Sequence, residues 1–267
     1  MRIGIIGAGN MGMALVRGFL RFGGVKPEDL IVSDREEERL RTAAELGART
    51  TVDNAEVARW ADIVFLAVKP GAVADVLREI GEEIEGKLLV SVAAGVSAET
   101  IAGLCRARII RLMPNICAEA GQMAACYSLG PGATEEDAGM VEGLLGRLGK
   151  VFRVEEGVMN AATAVCGSGP AFFLALMEAA RRAATELGMD GETAKMAVAQ
   201  TVRGAAALFE AGNAGEIIGR IATKGGTTEE GLKVLEGKGA TEAIADAIRA
   251  AAEKARRLEL GSGGPGR

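Results

Sequence analysis

Apolar residues recur along this chain in two rhythms, and the change between them divides it. Through residue 154, short runs without polar interruption alternate with segments whose apolar positions fall three and four apart. Ile3, Ile5 and Ile6 form the first run, and Met13, Leu15, Val16, Phe19 and Leu20 follow at helical spacing. Residues 30–33, 62–68, 88–92 and 108–113 are expected as further strands. The 62–68 run, Asp-Ile-Val-Phe-Leu-Ala-Val, is apolar on both faces, as a parallel strand covered by helices on two sides requires. Helices are expected up to about Leu46, from Asp53-Asn54, and over 73–80. Residues 115–129 read as strand-like and rich in small residues. After the Gly130-Pro131-Gly132 break, 135–148 reads as helix and 150–154 as a last strand. From Glu155 on the period is helical only, over 157–163, 170–187, 190–209, 227–235 and 241–258. The pattern predicts an α/β chain: a doubly wound sheet over residues 1–154, an all-α domain over 155–260, and a disordered Gly, Ser and Pro tail over 261–267. The Ala-, Met- and Leu-rich helices carry more apolar face than a lone bundle buries, so an intimate oligomer interface is expected.

The first strand opens into Gly7-Ala8-Gly9-Asn10-Met11-Gly12. In a strand–turn–helix setting, Gly7 and Gly9 let the backbone approach a pyrophosphate, Gly12 lets the helix pack on its strand, and the helix N-terminus faces the anion. A second strand ending in Asp34, roughly 20 residues on, completes the Rossmann-type dinucleotide pattern. Asp34 suits a ribose 2'-hydroxyl, whereas Ser33 and Arg35 suit a 2'-phosphate. Ala67-Val68-Lys69-Pro70, Ala93-Ala94-Gly95 and Pro114-Asn115 all fall at strand carboxyl ends, the edge where such sheets bind ligands.

Composition narrows the chemistry. The 267 residues are 49% hydrophobic and 25% charged, with a net charge of -5 and 3% aromatic content, which speaks against a nucleic-acid surface. The four cysteines, Cys105, Cys117, Cys126 and Cys166, form no CxxC pair and are expected to be buried thiols. Histidine is absent, so the usual zinc spacings and the Ser-His or Cys-His nucleophile pairs cannot be assembled, and no metal is expected. No apolar run is expected to reach the roughly 18 residues a membrane span needs, and the start is a strand carrying little positive charge, so neither a spanning helix nor a secretion signal is expected and a cytoplasmic protein is implied.

Two motifs punctuate the helical half. Gly167-Ser168-Gly169-Pro170 reads as a helix start with an early proline or as a close approach of ligand to backbone. In residues 223–230, Thr227 with Glu230 fits a capping box. Gly225-Gly226 and the N–H groups behind them equally describe a carboxylate site.

These blocks, together with Met113-Pro114-Asn115, Gly225-Gly226-Thr227-Thr228, Gly231-Leu232 and Val234-Leu235-Glu236, follow one another in an order and spacing that resembles the pyrroline-5-carboxylate reductases over essentially the whole chain. The resemblance implies reduction of L-1-pyrroline-5-carboxylate to L-proline, the last step of proline biosynthesis. It also implies a helical dimerisation domain and assembly as a homodimer or a pentamer of dimers. By position it assigns the cofactor to Ile6, Gly7, Ala8, Gly9, Asn10, Met11, Ser33, Asp34, Arg35, Asn54, Ala67, Val68, Lys69, Pro70, Ala93, Ala94 and Gly95. NADPH is expected, with NADH tolerated. It assigns the substrate to Thr223, Gly226, Thr227 and Thr228, with the Thr228 hydroxyl at the ring nitrogen as the catalytic group. The chain departs from the family pattern at Thr223-Lys224, Phe172 and Asn213-Ala214, positions that bear on substrate selectivity. A histidine-free site suits a protonated imine, which is already electrophilic. The rivals are a reductase of a related cyclic imine, a hydroxyacid dehydrogenase and a non-catalytic nucleotide-binding regulator. A dehydrogenase of that kind needs a lysine on the 170–187 helix, where there is none, and a regulator has no use for the 226–228 block.

Overall fold

The computed structural model describes residues 1–262. The strands are β1 (Ile3–Ile6), β2 (Leu30–Ser33), β3 (Arg49–Thr51), β4 (Ile63–Leu66), β5 (Leu88–Ser91), β6 (Arg108–Met113), β7 (Met123–Leu129) and β8 (Gly149–Arg153). Interleaved with them are α1 (Asn10–Arg21), α2 (Glu37–Glu45), α3 (Asn54–Trp60), α4 (Val73–Ile80), α5 (Ala98–Ala102) and α6 (Glu135–Leu145). Then come α7 (Met159–Ala162), α8 (Gly169–Glu186), α9 (Gly191–Ala211), α10 (Ala214–Ile221), α11 (Thr227–Gly237) and α12 (Ala240–Ser262).

The sheet order is β3-β2-β1-β4-β5-β6-β7-β8. Neighbours run parallel except β6 and β7, which pair antiparallel with Leu112 opposite Tyr127. The first six strands therefore have the doubly wound order, with the reversal of direction between β1 and β4. Successive strand residues alternate between two cores. Ile5, Val32, Phe65 and Val90 face Leu15 and Phe19 of α1. Ile6, Ile31, Val64 and Leu89 face Val57 of α3 and Leu77 and Ile80 of α4. Both faces are buried, which is why these strands read as unbroken apolar runs.

Three local expectations change. Arg49–Thr51 is a short strand at the sheet edge, and too few apolar residues mark it. Residues 115–129 are two elements, a 3-10 turn over Ile116–Ala120 and then β7, separated by Gly121 at φ 67°. Helix α10 was not expected; Asn213 caps it by accepting the Glu216 N–H at 3.1 Å.

The chain forms two compact units, Met1–Ser168 joined by the described residues from Arg249 on, and Gly169–Ile248. The first unit extends beyond Val154 because Met159 and Ala162 pack on Met113, with Ala94, Cys126 and Val154 around them. It also gathers in the end of α12 through a buried cation. The Arg111 side chain is 1% exposed, and its Nη1 meets Glu156 at 2.7 Å and Glu259 at 2.8 Å. Ser128 donates to the other Glu156 oxygen, and Asn160 Nδ2 donates to Glu259 at 2.7 Å. In the second unit the only buried residues are Gly169 and Ala194, and Phe173, Leu174, Met196 and Phe209 are exposed at 52%, 59%, 65% and 70%.

Glu156–Glu186 is one continuous helical stretch of 31 residues, long and apolar enough by length and composition to cross a membrane. That corrects the expectation that no such run exists. The Gly167-Ser168-Gly169-Pro170 motif does not start a new helix either: a π-helical turn over Thr163–Ser168 carries the helix through it into α8. Pro170 has no N–H to give the carbonyl four residues back, that of Cys166, and the wider turn makes room for its ring. That carbonyl instead accepts Asn115 Nδ2 at 3.0 Å. Of the tail, Gly261 and Ser262 belong to α12, and residues 263–267 lie outside the described residues.

Candidate active site

The end of β1 is fixed from both sides: Gly7 N–H donates to the Ser33 carbonyl at 2.8 Å, and Ala67 N–H to the Ile6 carbonyl at 2.8 Å. The chain then turns through Gly7 at φ 105°. A Cβ there would lie 2.6 Å from the Ala67 carbonyl oxygen, and a Cβ on Gly12 would run into the Gly7 carbonyl oxygen. Gly9, the N-cap of α1, offers no capping side chain and has open space where its Cβ would be. The first N–H groups of α1 thus face a cavity without an intrahelical partner, at the positive end of the helix dipole.

That cavity, about 790 Å³, lies at the carboxyl ends of β1, β2 and β4. It is lined by Gly7, Ala8, Gly9, Asn10, Met11, Ser33, Asp34, Arg35, Asn54, Ala67, Val68 and Lys69 among the expected residues. Ile6, Pro70, Ala93, Ala94 and Gly95 do not line it. Ile6 is buried in the sheet. A Cβ on Gly95 would lie 2.8 Å from the Leu258 Cβ of α12, so this glycine admits the returning helix. The sequence reading missed Arg17, Arg39, Thr42, Ile116 and Glu119, which also line the cavity. Arg39 was findable, since it lies in the first turn of α2, just after Arg35 in sequence; Glu119 was not, because only the tertiary fold brings it to Arg17, at 2.8 Å.

The polar groups at the β2 end have distinct tasks. Asp34, with its side chain 10% exposed, accepts the Ala8 N–H at 2.7 Å and the Glu36 N–H at 2.9 Å. Its carboxylate therefore braces the glycine turn. Ser33 is buried and donates to Asn54 Oδ1 at 2.7 Å, while Asn54 Nδ2 donates to Glu79 at 3.0 Å. Arg39 is held by Glu36 at 2.9 Å and Asp34 at 3.6 Å. Among the described residues Arg35 is exposed and ion-paired to none. The floor is thus prearranged, and Arg35 at the β2 end and Lys69 at the β4 end are the exposed lining cations without an ion pair among the described residues.

The sole tyrosine lies elsewhere. Tyr127 is fully buried and donates to Glu142 at 2.6 Å. Burial and that carboxylate push its pKa up to about 12, so it is no carbonyl-reductase acid. The cysteines are mixed: Cys105 and Cys166 are buried, Cys117 and Cys126 only half-buried.

In the second unit, residues 223–228 form a turn into α11. Gly226 N–H donates to the Thr223 carbonyl at 2.9 Å, and Gly226 is the N-cap without a capping side chain. The capping box of Thr227 with Glu230 does not form, because Thr227 is already the first helical residue. Glu229 reaches back to the Gly225 N–H at 2.6 Å instead. The Gly226 N–H, expected to face a carboxylate, is thereby committed to the turn. Thr227 and Thr228 keep N–H groups at the helix start, and the Thr228 hydroxyl has no hydrogen bond among the described residues.

Fold and cradle together define a doubly wound dinucleotide-binding protein with an appended helical unit. The chain belongs to the pyrroline-5-carboxylate reductase family. It is 39% identical over 263 residues, 96% of this chain and 97% of the relative, to a pyrroline-5-carboxylate reductase of Methanosarcina acetivorans. It is 35% identical to pyrroline-5-carboxylate reductase 2 of Bacillus subtilis, over 97% and 95% of the two chains. A pyrroline carboxylate reductase of Plasmodium falciparum, solved with NADP bound, superposes with a TM-score of 0.90 at 26% identity, over 97% of this chain and 98% of that one. Residues 156–258 match the pyrroline-5-carboxylate reductase dimerisation family, and residues 2–95 match the family described as NADP oxidoreductase, coenzyme F420-dependent.

Proposed function

We propose that this protein reduces L-1-pyrroline-5-carboxylate to L-proline with NADPH as hydride donor, the last step of proline biosynthesis. The observation that carries this reading is the full-length likeness to reductases of that name, in a chain that keeps an open glycine cradle at its switch point. The cradle fits a dinucleotide, since Gly9 leaves free the space a side chain would fill and α1 presents N–H groups there.

The N–H groups of Asn10 and Met11 hold the pyrophosphate. Ser33 and Asn54 form the ribose floor, Asp34 keeps the turn closed, and Arg35 pairs with the 2'-phosphate. Ala67, Val68, Lys69 and Pro70 border the opposite wall, with Ala93, Ala94 and Gly95 on the next strand end. When bound, the reduced nicotinamide supplies the hydride to the imine carbon. The N–H groups of Thr227 and Thr228, with the Thr223 side chain, hold the substrate carboxylate. The Thr228 hydroxyl orients the ring nitrogen as it passes from imine to amine.

The working form is a homodimer or a pentamer of dimers, in the cytoplasm. The dimerisation family match spans the helical residues, whose apolar side chains stand exposed on a single chain. Burial against a second copy suits them better than lipid, because Glu178, Arg182, Glu192, Lys195 and Arg203 stand exposed among the apolar residues along α8 and α9. The decisive assay follows NADPH oxidation with pyrroline-5-carboxylate, its six-membered analogue and a hydroxyacid. Turnover is expected with the five-membered imine above all; preference for either other substrate overturns the assignment.

A further inference from the structure

Outside the site lies a pair of thiols that the reaction does not use. Cys126 on β7 and Cys166 in the π-helical turn are 40 residues apart in sequence, yet their Sγ atoms are 3.7 Å apart. Two features hold them there. Cys126 packs on the Met113, Met159 and Ala162 cluster. The Cys166 carbonyl, freed by Pro170, is fastened by Asn115 Nδ2 at 3.0 Å. A disulfide needs the sulfurs at about 2.05 Å, so closure requires only a small local shift.

We propose that Cys126 and Cys166 are an oxidation site, closing to a reversible disulfide with hydrogen peroxide as the oxidant and slowing the reductase when closed. The pair is chemically unequal, as such a step requires. The hydrogen bond from Cys166 brings Cys126 down to about 7 against the opposing effect of burial. Cys166 is pushed up, by its bond to Cys126, by burial and by the neighbouring negative charge. Cys126 therefore supplies the thiolate, and being half-buried it is within reach of a small oxidant. Its sulfur attacks one peroxide oxygen, the O–O bond breaks, and a sulfenic acid and one water result. The Cys166 sulfur then attacks the sulfenyl sulfur, the S–O bond breaks, and a second water leaves with the Cys166 proton. Two thiols lose two electrons in all, and one peroxide becomes two waters.

The same residues connect the pair to the working edge of the sheet. Asn115 closes the Met113-Pro114-Asn115 turn at the carboxyl end of β6, and Ala94 packs on the cluster that Cys126 joins. Closure pulls β7 and the π-helical turn together at that edge. The effect on rate rests on the reductase reading, whereas disulfide formation does not.

The test treats the full-length protein with hydrogen peroxide, alkylates the remaining thiols and maps peptides by mass. Two of the four thiols are expected to be lost and a peptide pair joining Cys126 to Cys166 to appear, with NADPH-dependent turnover falling severalfold and recovering with dithiothreitol. Cys166→Ala and, separately, Cys126→Ala should lose both the joined peptides and the reversible inhibition. Four reactive thiols after peroxide, sulfinic acid at Cys126 without a joined pair, or joined peptides with unchanged turnover would each overturn the proposal. If the untreated enzyme does not reduce pyrroline-5-carboxylate, the functional reading fails while the peptide map still decides the disulfide.

Discussion

At the residue scale the site turns on which polar groups are already engaged. Asp34, which the pattern offered for a ribose hydroxyl, braces the Ala8 and Glu36 N–H groups. Arg35 carries no ion pair among the described residues. Arg35→Ala should therefore raise the KM for NADPH far more than that for NADH, measured in parallel titrations; equal effects would remove the 2'-phosphate role. Thr228 is the corresponding test at the substrate. Loss of one hydrogen bond to the ring nitrogen costs on the order of 1.5–3 kcal/mol, roughly a ten- to hundredfold loss of kcat/KM. Thr228→Ala should show that loss at unchanged NADPH affinity, and Thr228→Ser should retain most activity. Thr227→Ala is the control: without a capping box it should leave the melting temperature nearly unchanged.

At the element scale, charge holds the end of α12 in the first unit. Arg111 is buried between Glu156 and Glu259, with its Nε and Nη2 unpartnered, so losing a carboxylate here leaves a poorly compensated buried cation. Burial works to raise the Glu156 pKa, but the Ser128 and Arg111 hydrogen bonds and the Arg111 charge win and hold it below the usual carboxylate range. A depressed folded pKa stabilises above the ordinary carboxylate value and ceases to do so as pH falls through the folded value. Thermal melts should accordingly show a stability loss on the acid side, and Glu156→Gln should be less stable at neutral pH with a flatter acid limb. An acid limb identical to that of the parent would show that Glu156 does not contribute.

At the scale of the whole molecule, the helical unit has almost no core of its own. Gly169 and Ala194 are its only buried residues, and a helical unit without a buried face gains too little to offset its chain entropy. In the proposed homo-oligomer a second copy supplies the missing burial, and such interfaces usually cover more than about 2,000 Å². Light scattering at micromolar concentration without detergent should give at least twice the chain mass; the mass of one chain would refute the assembly.

The alternation of apolar runs and helical stripes determined the parallel strands, because a strand buried on both faces leaves no polar positions. The glycine spacing determined the cradle, because at Gly7 and Gly12 the backbone and its neighbours leave no room for a side chain. Local patterns did not carry β3, which has no apolar residue, or α10, which is apolar but only eight residues long and follows directly on Gly212-Asn213, nor the continuity of the long helix through Pro170. Tertiary structure decided those, together with the engagement of Asp34 and Ser33, the approach of Arg111 to Glu259 across 148 positions, and the meeting of Cys126 with Cys166. The contacts of Asp34, Ser33, Arg111 and Cys126 depend on residues distant in sequence that the fold brings together, and no local spacing encodes that distance.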